Sequence, residues 1–266
     1  SHFAVLMPIE PPRAPRRLTL ALAVPEGGAS RRASADVLFL PPGETAAVPL
    51  SFDRKQVHER DAYALLTNGR GAMAQIRGAW GEIRSQYDAL LAGNLNDRVP
   101  VDRHIMFTRC RGWVVCRGYS QEINNSCLDS FSVRDNVAVW RFRMPSGMGK
   151  IVSLDIRIAM REGRNHVALD IVRHRAGKSC DVLDDDTPIT VILRPDVEDR
   201  MNHGKTKAFT GPEAAWPSRV THSPNGFEFA PAPDRRLRLA AHPGAFTPEA
   251  EWKYMVHHPF EADRGL

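Results

Sequence analysis

Residues 150–174 read KIVSLDIRIAMREGRNHVALDIVRH, and this stretch decides the fold. Leu154, Ile156, Ile158 and Met160 alternate with Asp155 and Arg157, a polar break follows at 162–165, and Val167, Leu169 and Ile171 resume the alternation. A period of two puts every second side chain on one face, so the stretch predicts a β-hairpin, two half-buried strands joined by a turn.

The same pattern recurs on both sides. In AVWRFRM (138–144) Trp140, Phe142 and Met144 share a face, and TPITVILRP (187–195) contributes Ile189, Val191 and Leu193. RLTLALAVP (17–25) aligns Leu18, Leu20, Leu22 and Val24, and ADVLFLPPGETAAVPLSF (35–52) gives two short apolar runs hinged on Pro41, Pro42 and Gly43. NGFEFAPAP (225–233) reads as an edge strand because proline cannot donate to a ladder. Short alternating runs separated by turns predict an all-β fold of antiparallel sheets packed face to face, with at most short helices. One segment dissents. In QIRGAWGEIRSQYDALLAGNL (75–95) Ile76, Trp80, Ile83, Tyr87, Leu90 and Leu91 fall at helical spacing, which predicts a helix despite Gly78, Gly81 and Gly93.

Composition narrows the function classes. The net charge is +5 and the pI about 9.2, but basic residues are interleaved with acids and no polybasic block is present, so no nucleic-acid partner is expected. No stretch is apolar enough to span a bilayer, and the start lacks the long apolar run of a signal peptide, so no membrane partner is expected. Cys110, Cys116, Cys127 and Cys180 contain no C-x-x-C pair, which fits the reduced thiols of a cytoplasmic protein rather than zinc or a disulfide framework. No cofactor is expected.

Three groups of residues invite chemistry. Gly69, Gly71 and Ala74 match G-x-G-x-x-A, but a dinucleotide site needs a parallel β-α-β unit and the surroundings read as antiparallel, leaving a glycine turn with positive φ. RPDVEDRMNHGKT (194–206) carries Asp196, Glu198 and Asp199, acids of the type a glycosidase uses as donor and nucleophile. Sequence neighbours on one turn seldom face each other across a sugar, so the preferred reading is a strand that ends at Pro195 and satisfies its carboxylates with Arg194 and Arg200. His203 lacks a short-spaced partner histidine, and His257 and His258 point to opposite sides of a strand, so no metal site is read. Of the tryptophans, Trp140 reads as core, while Trp216 and Trp252 lie in polar, loop-like sequence and are candidates for stacking on a sugar ring.

Five stretches taken in order, LLTNGRGAMA (65–74), YDALLAGNLNDRVPVDRHIMF (87–107), REGRNHVALDI (161–171), RPDVEDRMNHGKT (194–206) and EWKYMVHHPFEADRGL (251–266), resemble the N-terminal region of bacterial and archaeal glycogen debranching enzymes of the amylo-α-1,6-glucosidase type. The resemblance covers roughly Tyr63 to Leu266. It implies a β-supersandwich over 61–266, preceded by a Pro-rich β segment at 1–60, that packs on a six-hairpin α/α barrel holding the catalytic acids. No barrel sequence lies within the 266 residues, so the chain by itself is expected to be inactive.

The resemblance implies site residues for glucan binding or for the domain interface: the Asn68–Gly69 turn with Gly71, Tyr87 ahead of Leu90 and Leu91, Arg200 and His203, and Trp252 and Tyr254 in the closing stretch, which also holds Glu261. It implies a strand rather than a helix at 87–91. The sequence departs from the family pattern at Asp88, where histidine is common, and at Met201 and Asn202, where the family commonly has Asp and an aromatic. The implied function is to position branched α-glucan beside a catalytic barrel in the same polypeptide. A free-standing carbohydrate-binding or protein-interaction sandwich is the alternative, and an independent hydrolase built on Asp196, Glu198 or Asp199 is the third.

Overall fold

A computed structural model describes residues 13–14, 16–26, 29–39, 50–96, 98–99, 101–177 and 179–265. The chain divides into two compact units, Ser1–Val48 and Pro49–Leu266.

In the first unit, strands β1 (Arg16–Glu26) and β2 (Ala29–Phe39) form an antiparallel ribbon whose register runs without a slip from Arg16↔Phe39 to Glu26↔Ala29. The alternation of Leu18, Leu22 and Val24 is realised as a strand, but two strands cannot bury a face, and these side chains stay 45%, 62% and 48% exposed. The hinge read at Pro41, Pro42 and Gly43 lies outside the described residues.

The second unit is an antiparallel β-sandwich. In chain order it contains β3 (Leu50–Asp53), helix α1 (Arg54–Arg60), β4 (Tyr63–Thr67), β5 (Met73–Arg77), β6 (Ala89–Asn94), β7 (Arg103–Cys116), β8 (Tyr119–Glu122), β9 (Leu128–Arg134), β10 (Val137–Gly147), β11 (Lys150–Met160), β12 (Val167–Arg173), β13 (Thr190–Met201), short helix α2 (Pro212–Ala215), β14 (Val220–Ser223), β15 (Gly226–Ala232), β16 (Arg235–Ala240) and short helix α3 (Pro259–Ala262). One sheet is ordered β12-β11-β10-β9-β3. A second runs β13-β7-β6-β5-β4 with β8 added to β7, and a small third runs β14-β15-β16. No described helix is long and apolar enough to cross a membrane.

The hairpin that decided the fold is β11–β12, paired from Leu154↔Arg173 to Met160↔Val167. Its inward residues join Trp140, Phe142 and Met144 of β10, all fully buried, in one cluster with Leu66, Ala74, Ile76, Leu91, Phe107 and Val114 of the second sheet. Burying one such side chain stabilises by about 1.5–3 kcal/mol. Trp140 also bridges the layers: its indole N–H donates to the Gly78 carbonyl at 2.9 Å, and Trp80 packs edge-on against it at 5.1 Å. Gly78 itself is tightly enclosed, since a Cβ there would lie 3.0 Å from both Ala62 O and Phe131 Cδ1. Asp155, on the outward face of β11, is nonetheless 2% exposed, covered by Arg141 at 2.9 Å and His174 at 2.8 Å.

Four local expectations are corrected. No helix forms over 75–95. Ile76 lies in β5, Trp80 sits in a turn where Gly81 takes φ 76°, and Leu90 and Leu91 belong to β6, so the helical spacing arises from two strands and the turn between them. A register shift between Leu91 and Ala92 puts both leucines in the same core and hides the alternation. The strand at 190–201 does not end at Pro195: β13 is the sheet edge, where proline's missing donor is tolerated. NGFEFAPAP is not an edge, because β15 lies between β14 and β16, with Phe227 and Phe229 buried and Pro231 at the register shift between Phe229 and Ala232. His257 and His258 precede α3 in irregular backbone rather than in a strand.

Candidate functional site

The acids of 196–199 lie on β13, and each is already partnered. Asp196 accepts from Arg109 Nε at 2.5 Å and from an Arg111 terminal nitrogen at 2.8 Å. Glu198 accepts from Arg200 Nε at 2.8 Å and from the Thr206 hydroxyl at 2.6 Å. Asp199 meets His104 Nε2 and Arg235 Nε, both at 2.5 Å. Burial alone would push the Asp199 pKa up, but the hydrogen bonds from Arg235 and His104 outweigh it and hold the carboxyl below its ordinary value. Arg194, expected to serve this cluster, pairs instead with Glu251 at 3.2 Å. The stretch is therefore a set of ion pairs that pins the edge strand to its neighbours.

Beyond β13 the chain turns back, and Tyr87, Arg200 and His203 come together. The Tyr87 hydroxyl lies 3.1 Å from His203 Nδ1 with the rings edge-on at 5.5 Å; His203 is exposed and Tyr87 half-buried. Arg200 is 7% exposed and points inward: besides Glu198 it donates to the carbonyls of Gln86 and Gly204. It fixes the backbone under Tyr87 rather than facing solvent. The same loop is held from its other side by Glu261 of α3, whose carboxylate accepts from the Ser85 hydroxyl at 2.7 Å and the Gln86 N–H at 3.0 Å. Phe260 lies under the guanidinium of Arg77 at 4.7 Å.

Asp88 explains one departure from the family pattern. Its buried carboxylate accepts from Arg77 Nε, the Gln75 amide and the backbone N–H groups of Arg84 and Ser85, at 2.8–2.9 Å. Nothing in the sequence near Glu261 or Asp88 signals either set of partners.

Asn68, Gly69 and Gly71 form the β4–β5 turn. Asn68 is 1% exposed; its side-chain oxygen accepts from the N–H groups of Arg70 and Ala72, and its amide donates to the Arg164 carbonyl of the β11–β12 turn. Gly69 and Gly71 take φ of 73° and 99°, conformations that favour glycine. The register links this turn to Arg200 through one row across the sheet, Thr67↔Met73↔Ala92↔Ile105↔Arg200. Four strand spacings separate the row's ends, about 19 Å. Turn and Arg200 share one end of the sheet at opposite edges.

Trp252 and Tyr254 lie elsewhere. Trp252 packs 5.4 Å from Trp216 and 6.4 Å from Tyr254, and Trp216 meets the buried Phe229 edge-on at 5.4 Å. These rings line an open cleft of about 2740 Å³ whose walls also take in parts of β6, β7, β12, β13 and the small sheet, with Arg200 and Glu261 among the lining residues. Among the described residues no group of three or more His, Cys, Asp or Glu is arranged to hold a metal ion. The cysteines are free thiols, and burial pushes that of Cys110 up to about 12.

Fold and site define an antiparallel β-sandwich domain in which Asp196, Glu198 and Asp199 are spent on internal ion pairs and aromatic side chains gather at a sheet end and along a cleft. The family model described as "Glycogen debranching enzyme N terminal" matches residues 64–266, and the chain belongs to that family. No curated protein and no solved structure matches the chain.

Proposed function

We propose that this chain acts as the non-catalytic N-terminal domain of a cytoplasmic glycogen-debranching enzyme, holding branched α-glucan in place for a catalytic α/α barrel of the same polypeptide. The observation that carries the reading is the family match over 64–266. The geometry supports it, because Asp196, Glu198 and Asp199 are each tied to arginine or histidine, whereas glycoside hydrolysis needs two carboxyl groups facing each other across the scissile bond. On this reading Tyr87 and His203 are the glucan-facing pair. Arg200 and Glu261 hold the loop beneath them, and the Asn68–Gly71 turn braces the other edge of the same sheet end.

Calorimetric titration with a branched limit dextrin tests the proposal. The chain is expected to bind saturably and release no glucose, and the double substitution Tyr87→Phe, His203→Ala is expected to weaken binding about tenfold, the worth of roughly one to two hydrogen bonds. Unchanged binding in the double variant would reject the assignment of the pair. Glucose release exceeding that of an Asp196→Asn, Glu198→Gln, Asp199→Asn variant would show the chemistry to reside in this chain.

A further inference from the structure

Strand β1 carries its larger apolar residues on one face. Leu18, Leu22 and Val24 are exposed there and Leu20 is half-buried, with Ala35 and Ala33 beside Leu20 and Leu22 in the register. Among the described residues the ribbon is a sheet of two strands, so one edge of β1 keeps its N–H and C=O groups free to pair with a further strand. Two strands alone are marginal in water, and three or more with an apolar face are needed to stand unaided.

The sequence of β1, RRLTLALAVPE, is complementary to itself when a second copy runs antiparallel to it about Ala21. Arg16 then falls opposite Glu26 of the second copy, Leu18 opposite Val24, and Leu20 opposite Leu22. Opposed positions are both even or both odd, so the two apolar stripes stay on one face of the joined sheet. All eleven residues find a counterpart, and unlike charges meet at both ends. The nearest registers that also keep the faces matched lack this fit: a shift of two residues one way sets Arg16 against Val24, and a shift the other way sets Leu18 against Glu26. Pro25 falls opposite Arg17 near the end of the pairing, where its missing donor removes no more than one bond per copy.

The free edge of β2 fits less well. Its small side chains Ala33 and Ala35 stand where β1 has leucines. Asp36, which a β2–β2 pairing about Ser34 would set against Arg32, is already held by the Thr19 hydroxyl at 2.8 Å and by Arg17 at 3.7 Å.

We propose that the chain forms a two-fold symmetric dimer in which the β1 strands of two copies pair antiparallel about Ala21, making one four-stranded sheet in the order β2-β1-β1-β2. The contact uses the same surface of both copies and closes on itself. It involves the first unit alone and is independent of the glucan reading of the second.

Two measurements on the whole chain test it. In a Cys180→Ser background, which removes the exposed native thiol, Ala21→Cys is expected to form an intermolecular disulfide on mild oxidation. Directly opposed Cα atoms of an antiparallel pair lie about 4.5–5.5 Å apart, within the span of a disulfide. Ser34→Cys, beside Ala21 on the outer strand, is expected to stay uncross-linked, because three strand spacings, about 14 Å, separate its two copies. Sedimentation equilibrium is expected to show a dimer whose Kd rises about tenfold in Arg16→Glu and in Glu26→Arg, where like charges meet at both ends, and returns to the wild-type value when the two are combined. A monomeric wild-type chain, or a dimer that Ala21→Cys fails to lock, overturns the proposal. Cross-linking through Ser34→Cys but not through Ala21→Cys puts the contact on β2 and overturns it as well. A dimer indifferent to Arg16→Glu, or one that the combined charge swap does not restore, overturns the register.

Discussion

The Glu261 carboxylate accepts a 2.7 Å hydrogen bond from the Ser85 hydroxyl, joining positions 176 residues apart. Ser85 opens the short loop that carries Gln86 and Tyr87, and Gln86 is the residue whose N–H Glu261 also holds and whose carbonyl Arg200 binds. The closing segment of the chain and the edge strand thus grip Gln86 from two sides, one by its N–H and the other by its carbonyl.

Removing the grip from the C-terminal side has a calculable cost. Glu261 is 4% exposed, so Glu261→Ala leaves a buried hydroxyl and a buried N–H without their acceptor, at about 1–3 kcal/mol. The expected drop in Tm is about 2–4 °C for each kcal/mol. Glu261→Gln, which keeps an acceptor oxygen, should lose less. Equal melting curves for wild type and Glu261→Ala would show that the contact does not hold the loop.

Arg200 and His203 should separate into a structural and a surface residue. Arg200→Met leaves the half-buried Glu198 carboxylate with the Thr206 hydroxyl alone and the buried Gln86 carbonyl without its guanidinium donor, at about 1–3 kcal/mol. His203 is exposed, so His203→Ala should change stability by no more than about 0.5 kcal/mol while weakening dextrin binding. Denaturant unfolding of the two variants checks the split; comparable losses would remove the distinction.

Stability should fall with acidification in two stages. His258 is held below its ordinary pKa of 6.5, first by burial and then by the charge of Arg200. Just under pH 6.5 the unfolded chain therefore binds the proton that the folded chain refuses, and stability declines as pH drops through that window. Asp155, Asp199 and Glu261 are held below their ordinary values: burial pushes each up, and hydrogen bonds from Arg141 and His174, from Arg235 and His104, and from Ser85 and Gln86 respectively push each further down. Their contribution is complete above pH 4.5 and is lost as pH falls through the lowered values. Melting temperatures between pH 7.5 and 3 should show both stages, and His258→Asn should remove the upper one alone. A profile flat between pH 6.5 and 5 would contradict the assignment to His258.

Much of the sandwich was legible because a strand with one buried face writes its period directly into the sequence. Leu154, Ile156 and Ile158 are buried as the alternation predicts, and Trp140 is core. The period fails where a strand slips register, as at Leu91 and Ala92, and where proline sits on an edge, as at Pro195. Site geometry was less legible. Tyr87 and His203 were named and do meet, but the inward turn of Arg200 depends on Gln86, and the anchoring of that loop depends on Glu261, partners that no local pattern announces. Trp252 and Trp216 were singled out from polar surroundings, yet only the fold brings them within 5.4 Å.

Glucan binding by this domain is open to a direct test. Native electrophoresis of the purified chain in gels cast with and without glycogen tests it most directly. Clear retardation in the glycogen gel is expected, diminished in the Tyr87→Phe, His203→Ala double variant; identical mobility of the wild-type chain in the two gels would contradict glucan binding.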